Sequence, residues 1–312
     1  MDTAPSSSAA GQARRPAPQV RGIGRAIAEW GTAGGSTSRR PDLPWRSTRD
    51  PWSVLVAEVM LQQTQVSRVV PAYERFLRRF PTPSACAASP LGEVLRAWEG
   101  LGYNRRARGV HGAAVAMVAG HGGEVPRSLS GLLALPGVGA YTARAVLAFA
   151  FEADIGVVDT NAGRVLSRAA AGATLRPVEA QGLVDSMVPV GRGWTFNQAL
   201  LDLGATVCVS GTPACTPCPI RRRCRWAAAG WPLPDPARGS AGVSTRQSTF
   251  AGSDRQGRGR LIDALRRGPV SPEEATTAVG WSDDPDRVER VVAGLVAEGM
   301  VLRGPSGVLS LP

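Results

Sequence analysis

Leu133-Ala134-Leu135-Pro136-Gly137-Val138-Gly139-Ala140-Tyr141-Thr142-Ala143 joins the apolar end of one helix to the apolar start of another through a tight Gly-x-Gly turn. Gly137 and Gly139 free backbone N–H groups to point outward. A helix N-terminus with free amides attracts phosphate, and glycine permits an approach that a side chain would block. Many Gly-x-Gly turns exist for steric reasons alone, so the weight comes from the surrounding Leu-Pro-Gly-Val-Gly.

Outward from this hairpin, Arg21 to Trp226 reads as amphipathic helices punctuated by Gly and Pro, with few alternating runs, so the expected class is all-α. Asp50-Pro51 is an N-cap followed by proline at the first helical position, and Trp52, Leu55, Val56, Val59 and Met60 follow at helical spacing. A second helix from about Thr64 carries Val69, Val70, Tyr73, Phe76, Leu77 and Phe80 on one face, with Pro71 as an expected kink. Residues 1–20 read as a disordered arm without the apolar core of a signal peptide, 21–233 as the main body, and 234–257 as a Pro/Gly/Ser-rich linker. The tail, 258–312, has the pattern of a small winged helix: Leu261, Ile262 and Leu265 on a first helix, a Ser271-Pro272-Glu273-Glu274 capping box on a second, Val288 to Val296 on a third, then a hairpin around 304–307. Between Asp283 and Glu298 five acids outnumber two arginines, which favours packing or protein contact over DNA reading by that helix.

The 312 residues carry 36 basic against 25 acidic side chains, net +11, a balance suited to a polyanion. Every basic residue is arginine. The absence of lysine excludes a phosphate-loop lysine, a pyridoxal phosphate lysine and any lysine Schiff base with an opened sugar. No stretch approaches the ~20 apolar residues of a membrane span, and a soluble protein without membrane association is expected. His111 and His121 are too few and too far apart for a histidine metal site.

Three further motifs carry chemistry. Cys208-x6-Cys215-x2-Cys218-x5-Cys224 places four thiols in 17 residues, with Pro213, Pro217 and Pro219 forcing turns; the spacing suits either a four-thiolate zinc or a four-iron cluster, in a structural role. Arg221, Arg222, Arg223 and Arg225 in the same loop form an expected phosphate-contacting face. In Val157-Val158-Asp159-Thr160-Asn161 an apolar pair delivers Asp159 to a helix start, where it is either an N-cap or a catalytic anion. Glu58, in Ala57-Glu58-Val59-Met60-Leu61-Gln62-Gln63-Thr64-Gln65, lies among apolar neighbours that would raise its pKa towards that of a general acid; the alternative is a glutamate paired with arginine at the core edge.

Taken together, Glu58 to Val66, Gly100-Leu101-Gly102-Tyr103, Leu135 to Ala143, Asp159-Thr160-Asn161, Asn197-Gln198-Ala199, Asp202-Leu203-Gly204 and the four cysteines resemble the helix-hairpin-helix DNA glycosylases with an iron-sulfur cluster. Within them the likeness is to the adenine glycosylase (MutY-type) branch, in a short actinobacterial-type form, over about Leu43 to Trp226. The resemblance implies a two-lobed helical fold: a barrel lobe at about 45–150, and a cluster lobe of 21–44 with 151–233. It implies one 4Fe-4S cluster on Cys208, Cys215, Cys218 and Cys224, and a monomer in the cytoplasm at the nucleoid, acting on mismatched double-stranded DNA.

Adenine opposite 8-oxoguanine or guanine would be flipped out of the duplex and its N-glycosidic bond hydrolysed. Glu58 matches the acid that protonates the base, Asp159 the carboxylate that stabilises the oxocarbenium-like sugar, and Asn161 a supporting polar residue. The Gln62-Gln63-Thr64 segment favours adenine, and Gln63, Thr64 and Tyr103 match residues that enter the duplex and hold the opposing base; Tyr103 is either a core aromatic or, as its Gly neighbours and Arg105, Arg106 and Arg108 favour, an exposed wedge. Tyr141 stands where endonuclease III-type relatives carry their Schiff-base lysine, so a monofunctional enzyme without lysine-based lyase activity is implied. The residues after Pro234 are too few and too helical for the Nudix-like domain of longer relatives, Asn104 stands where a second tyrosine is common, and Thr160 replaces a common glycine. Two other readings stand beside this one: a mismatch thymine or uracil glycosylase, and a non-catalytic, metal-containing DNA-binding regulator.

Overall fold

A computed structural model describes residues 18–35, 43–242 and 249–312. Most of the expected arm (1–17) and part of the expected linker (243–248) lie outside the described residues. In chain order, α1 (Pro18–Trp30) precedes α2 (Pro51–Leu61), α3 (Val66–Arg79), α4 (Pro83–Ala87), α5 (Leu91–Ala97), α6 (Arg105–His121), α7 (Leu129–Leu133) and α8 (Ala140–Ala150). There follow α9 (Thr160–Val165), α10 (Pro177–Met187), α11 (Gly193–Thr206), the single turn α12 (Arg225–Ala228), α13 (Asp254–Arg267), α14 (Pro272–Val279) and α15 (Pro285–Ala297). Strands β1 (Leu302–Arg303) and β2 (Leu309–Ser310) close the chain. The class is mostly helical, as the periodicity and punctuation predict.

The chain divides into two compact units. One contains the described residues of Met1–Ser36 and Val158–Val243, the other those of Thr37–Val157 and Ser244–Pro312. In the first, Ile23 and Ile27 of α1 meet Val184 of α10, Phe196, Leu200 and Leu203 of α11, and Leu166 beyond α9 in one buried cluster. Each such side chain contributes about 1.5–3 kcal/mol relative to exposure. Cys208, Cys218 and Cys224 pack against that same cluster, so the core and the cysteine loop support each other.

In the second unit α2 is buried from Trp52 and Val54 through Met60. Asp50 caps it by accepting from the Ser53 N–H at 2.8 Å, and Trp52 Nε1 donates to the Phe80 carbonyl at 2.9 Å. Phe76 stacks edge-on against Phe80 and Trp98, at centroid distances of 4.9 and 5.8 Å. Helix α3 runs through Pro71. His111 of α6 is structural, its Nε2 lying 3.0 Å from the Ser89 carbonyl oxygen.

The tail folds as three helices and a hairpin. Ser271 and Glu274 form the expected capping box of α14, with Ser271 N–H donating to Glu274 Oε2 at 2.8 Å and Glu274 N–H to Ser271 Oγ at 3.2 Å. Leu302 pairs with Ser310 and Arg303 with Leu309 in antiparallel register, while Val270 bridges to Leu309 on the other side. This is a winged-helix-like module. The stretch 234–242, read from composition as linker, is packed chain: Ser240 and Ala237 are buried, and the Ala241 N–H donates to the Leu175 carbonyl at 2.8 Å.

Candidate active site

In the second unit, Glu58 lies in the latter half of α2 and is only 6% exposed, among the buried Val54, Leu55 and Val59 of its own helix. The helix stops at Gln62 because Gln63 turns left-handed, at φ +56°. Gln62 is half-buried, its Nε2 donating at 3.1 Å to the buried Thr142 Oγ1 of α8, which ties α2 to the hairpin helix. Gln63 is exposed. Thr64 is half-buried, donating to the carbonyls of Gln62 at 3.3 Å and Leu101 at 3.5 Å. Of the three neighbours assigned to DNA, only Gln63 is thus fully presented.

Tyr103 is the other left-handed side-chain-bearing residue here, at φ +46°. Such conformations cost about 1–3 kcal/mol each and persist where the surroundings over-determine them. Arg106 supplies that determination. Its Nη1 donates to the carbonyls of Val59 (3.0 Å), Met60 (2.9 Å) and Gln62 (2.5 Å), and its Nη2 to Thr64 Oγ1 (2.9 Å) and the carbonyls of Leu101 (3.1 Å) and Gly102 (3.2 Å). A cation at the C-terminus of α2 also satisfies the helix's last carbonyls. Burial pulls the Arg106 pKa down to about 10, which leaves it charged at neutral pH. Tyr103 is half-buried where a fully exposed wedge is expected; Arg105 and Arg108 are exposed, while Arg106 is an internal strut, lying 5.3 Å from the Tyr103 ring centroid.

The hairpin between α7 and α8 forms as the motif predicts. Gly137 has φ +76°, and a Cβ there would come within 2.9 Å of Gly109 Cα, so glycine is required both for conformation and for the approach of α6. Gly139 caps α8 and is exposed with Ala140, presenting the helix's first-turn amides to the outside. Tyr141 is half-buried in that first turn.

In the first unit, Asp159 caps α9: its Oδ1 accepts from the Ala162 N–H at 2.7 Å and its Oδ2 from Asn161 Nδ2 at 3.0 Å. Burial pushes the carboxyl above its ordinary pKa, against the downward pull of these donors and of the Arg164 charge. Asn161 Oδ1 accepts from Arg164 Nη2 at 2.8 Å, and Gly204 of α11 lets the Asn161 backbone approach where a Cβ would stand 2.6 Å from its carbonyl oxygen. Arg164 then donates through Nη2 to the Gly204 carbonyl at 2.7 Å and through Nε to the Cys208 carbonyl at 2.6 Å. The aspartate and the cysteine loop are therefore joined through the Asn161 amide and one buried guanidinium.

The four cysteines line a single partly open pocket together with Arg168, Val207, Ile220 and Trp226. Among the described residues no three His, Cys, Asp or Glu side chains gather as a set for a single ion. Four thiols on one lining are the donor set of either a four-thiolate zinc site or a four-iron cluster. Burial pushes the thiols of Cys208, Cys218 and Cys224 up, Cys218 to about 11, so thiolates here need cationic company. Arg168, 1% exposed on a π-helical continuation of α9 (Leu166–Ala171), supplies some. Its Nη1 lies 3.5 Å from Cys208 Sγ, its Nε and Nη2 clasp both Asp235 oxygens at 3.0 and 2.5 Å, and it stacks over Trp226 at 4.9 Å. Arg221, Arg222 and Arg223 are exposed on a 3-10 turn of the same loop.

Sequence reading missed Arg106, Arg164 and Arg168 as site-building residues. The available signal was their placement, Arg106 three residues after Tyr103 and the other two one and two turns into the helix that Asp159 starts.

A Gly-x-Gly hairpin between two helices, followed by a capped aspartate, defines a helix-hairpin-helix protein. Residues 56–181 match the HhH-GPD superfamily of base excision DNA repair proteins. The chain is 44% identical over 276 residues to an adenine DNA glycosylase of Mycolicibacterium smegmatis, covering 87% of this chain and 92% of that one. Among solved structures it is similar to a thermostable thymine-DNA glycosylase (TM-score 0.62, 30% identity, 68% of this chain and 97% of that one). It is also similar to endonuclease III trapped as a covalent intermediate with DNA (TM-score 0.56, 25% identity, 68% and 99%). The chain belongs to the HhH-GPD superfamily and, within it, to the family of the adenine DNA glycosylases. Among the described residues no helix is long and apolar enough to cross a membrane.

Proposed function

We propose that this chain is a monofunctional DNA glycosylase of base excision repair that hydrolyses the N-glycosidic bond of adenine mispaired with 8-oxoguanine or guanine. The observation that carries the mechanism is Asp159: a desolvated carboxyl, held at both oxygens, at a helix start where a developing cation would find an oriented anion. Glu58, buried on α2, is the proton donor to the departing base, and Asp159 stabilises the oxocarbenium-like sugar until water completes the hydrolysis. Asn161 fixes the orientation of Asp159. Gln63, Thr64 and Tyr103 enter the duplex and hold the opposing base, with Gln62 bracing their turn; the amides around Gly137 and Gly139 hold a backbone phosphate. Tyr141 is no Schiff-base nucleophile, and a chain without lysine has no lysine-based lyase chemistry.

Cys208, Cys215, Cys218 and Cys224 would hold one 4Fe-4S cluster. Bound there, the cluster supplies a rigid cross-link of the loop that presents Arg221 to Arg223 to the phosphate backbone. The protein acts as a monomer in the cytoplasm, at the nucleoid. The body, 21–233, carries the activity, with a barrel lobe at about 45–150 and a cluster lobe of 21–44 and 151–233; the winged-helix-like tail, 258–312, follows it.

A second reading has its own support, because the similar thermostable protein is named a thymine-DNA glycosylase. Single-turnover cleavage of A:8-oxoG, A:G, T:G and U:G duplexes, with alkali to reveal abasic sites, separates the two. Adenine excision from the first two substrates is expected. Thymine excision without adenine excision would overturn the assignment.

A further inference from the structure

The tail has no assigned role, yet it makes a run of contacts with residues 92–105 of its own unit. Arg255 of α13 donates from Nη1 to Tyr103 Oη at 3.4 Å, and its guanidinium lies 5.8 Å from the Tyr103 ring centroid. Arg266, one helix length further on, is buried at the base of the same helix: its Nη2 donates to Asn104 Oδ1 and its Nε to the Leu95 carbonyl, both at 2.9 Å. Glu298, at the end of α15, pairs with Arg258 of α13 at 2.8 Å and with Arg105 of α6 at 3.5 Å. The Gly92 N–H donates to the Pro312 carbonyl at 2.8 Å. Residues 103, 104 and 105 are thus each gripped by the tail.

Chemistry sharpens the point. Asn104 is not spare at its position but is the acceptor for a buried arginine of the tail. Tyr103, left-handed and strained, is braced by Arg106 of α6 and by Arg255 of α13. A phenol whose hydroxyl accepts from a guanidinium and whose ring faces two guanidinium groups has little freedom of χ1 or χ2. Of the acids around α15, Glu298 pairs with Arg105 and Arg258.

We propose that the winged-helix-like tail is a docked specificity module that fixes Tyr103 against the base opposite the excised adenine, with Arg255 as the positioning residue. This rests on the reading of Tyr103 as a duplex-entering residue. The module would do its work from outside the catalytic helices, so its loss should alter discrimination between opposing bases more than the bond-breaking step itself.

The test is a double-mutant cycle on the full-length protein with Arg255→Met and Tyr103→Ser. It reads the ratio of single-turnover rates for adenine opposite 8-oxoguanine and adenine opposite cytosine. Arg255→Met is expected to lower that ratio about fivefold in the Tyr103 protein and to leave it unchanged in the Tyr103→Ser protein, because coupled residues lose their interaction only once. Tyr103→Phe, which removes the acceptor and keeps the ring, should lower it in the same direction and serves if Arg255→Met unfolds. Equal effects of Arg255→Met in both backgrounds, or none where Tyr103→Ser lowers the ratio, would overturn the proposal and leave the reading of Tyr103 intact. An unchanged ratio in Tyr103→Ser alone would remove that reading, and the module's role with it.

Discussion

Asn161 Nδ2 donates to Asp159 Oδ2 at 3.0 Å, while the other Asp159 oxygen caps α9 through the Ala162 N–H at 2.7 Å. One carboxylate thus serves the helix and, in the proposed mechanism, the sugar cation. Asparagine caps a helix about as well as aspartate but carries no charge. Asp159→Asn should therefore leave helix and fold intact while lowering the single-turnover rate about 10²- to 10³-fold. Burial raises the Asp159 pKa in the folded protein, so its ionisation opposes folding: the group's favourable contribution is complete below its unfolded pKa and is lost as pH rises through the folded value. At neutral pH the thermal midpoint of Asp159→Asn should accordingly equal or exceed that of the parent, as calorimetry would show. A large drop would make Asp159 a structural cap and no more.

The acid limb of the pH–rate profile should report the same group. Because Asp159 acts as the anion, activity should rise with pH through its raised pKa, above the range of an ordinary carboxylate. Asn161→Ala removes a donor that pulls this pKa down, so the limb should move to higher pH, measured as log kcat/KM against pH. A limb that stays in place would separate Asn161 from the control of Asp159.

Arg106 gathers six acceptors from residues 59–64 and 101–102, beside Gln62, Gln63, Thr64 and Tyr103, the residues read as DNA contacts. Arg106→Met strands those carbonyls and frees two left-handed residues to relax. A loss of about 2–3 kcal/mol in urea unfolding is expected, together with weaker mismatch binding by anisotropy. Stability equal to the parent would show that the strut is dispensable.

At the hairpin, Gly137→Ala places a Cβ on a residue at φ +76° and within 2.9 Å of Gly109 Cα. The left-handed strain alone is worth about 1 kcal/mol. Displacement of the turn should weaken duplex affinity for matched and mismatched DNA alike, since a phosphate contact carries no sequence information. Selective loss of mismatch binding would argue against a phosphate role.

For the cysteine cavity, anaerobically purified protein should be brown, with broad visible absorbance and about four irons per chain. Cys218→Ser should lose the colour and destabilise the first unit, because Cys208, Cys218 and Cys224 pack on its core. Stoichiometric zinc without iron would contradict the cluster.

What the sequence made legible follows from how local each signal is. The Pro136–Gly139 hairpin, the Asp50 and Asp159 caps and the Ser271 capping box are written within a few residues, and all form as predicted. Arg106, Arg164 and Arg168 were not legible as struts, because in a chain whose every basic residue is arginine, composition does not separate a buried guanidinium from a solvated one. Their acceptors are mainly backbone carbonyls, brought within reach only by the packed helices. The grip of the tail on residues 103–105 was hidden for a similar reason: its partners are separated by more than 150 residues in the cases of Tyr103 with Arg255 and Asn104 with Arg266.

The most direct measurement concerns Glu58, the proposed proton donor. With Glu58→Gln, which keeps size and hydrogen-bonding capacity but has no acidic proton, adenine release from an A:8-oxoG duplex should fall at least about 10²-fold while duplex affinity stays within a few-fold of the parent. Release at the parental rate would contradict protonation by Glu58 as the step that frees the base.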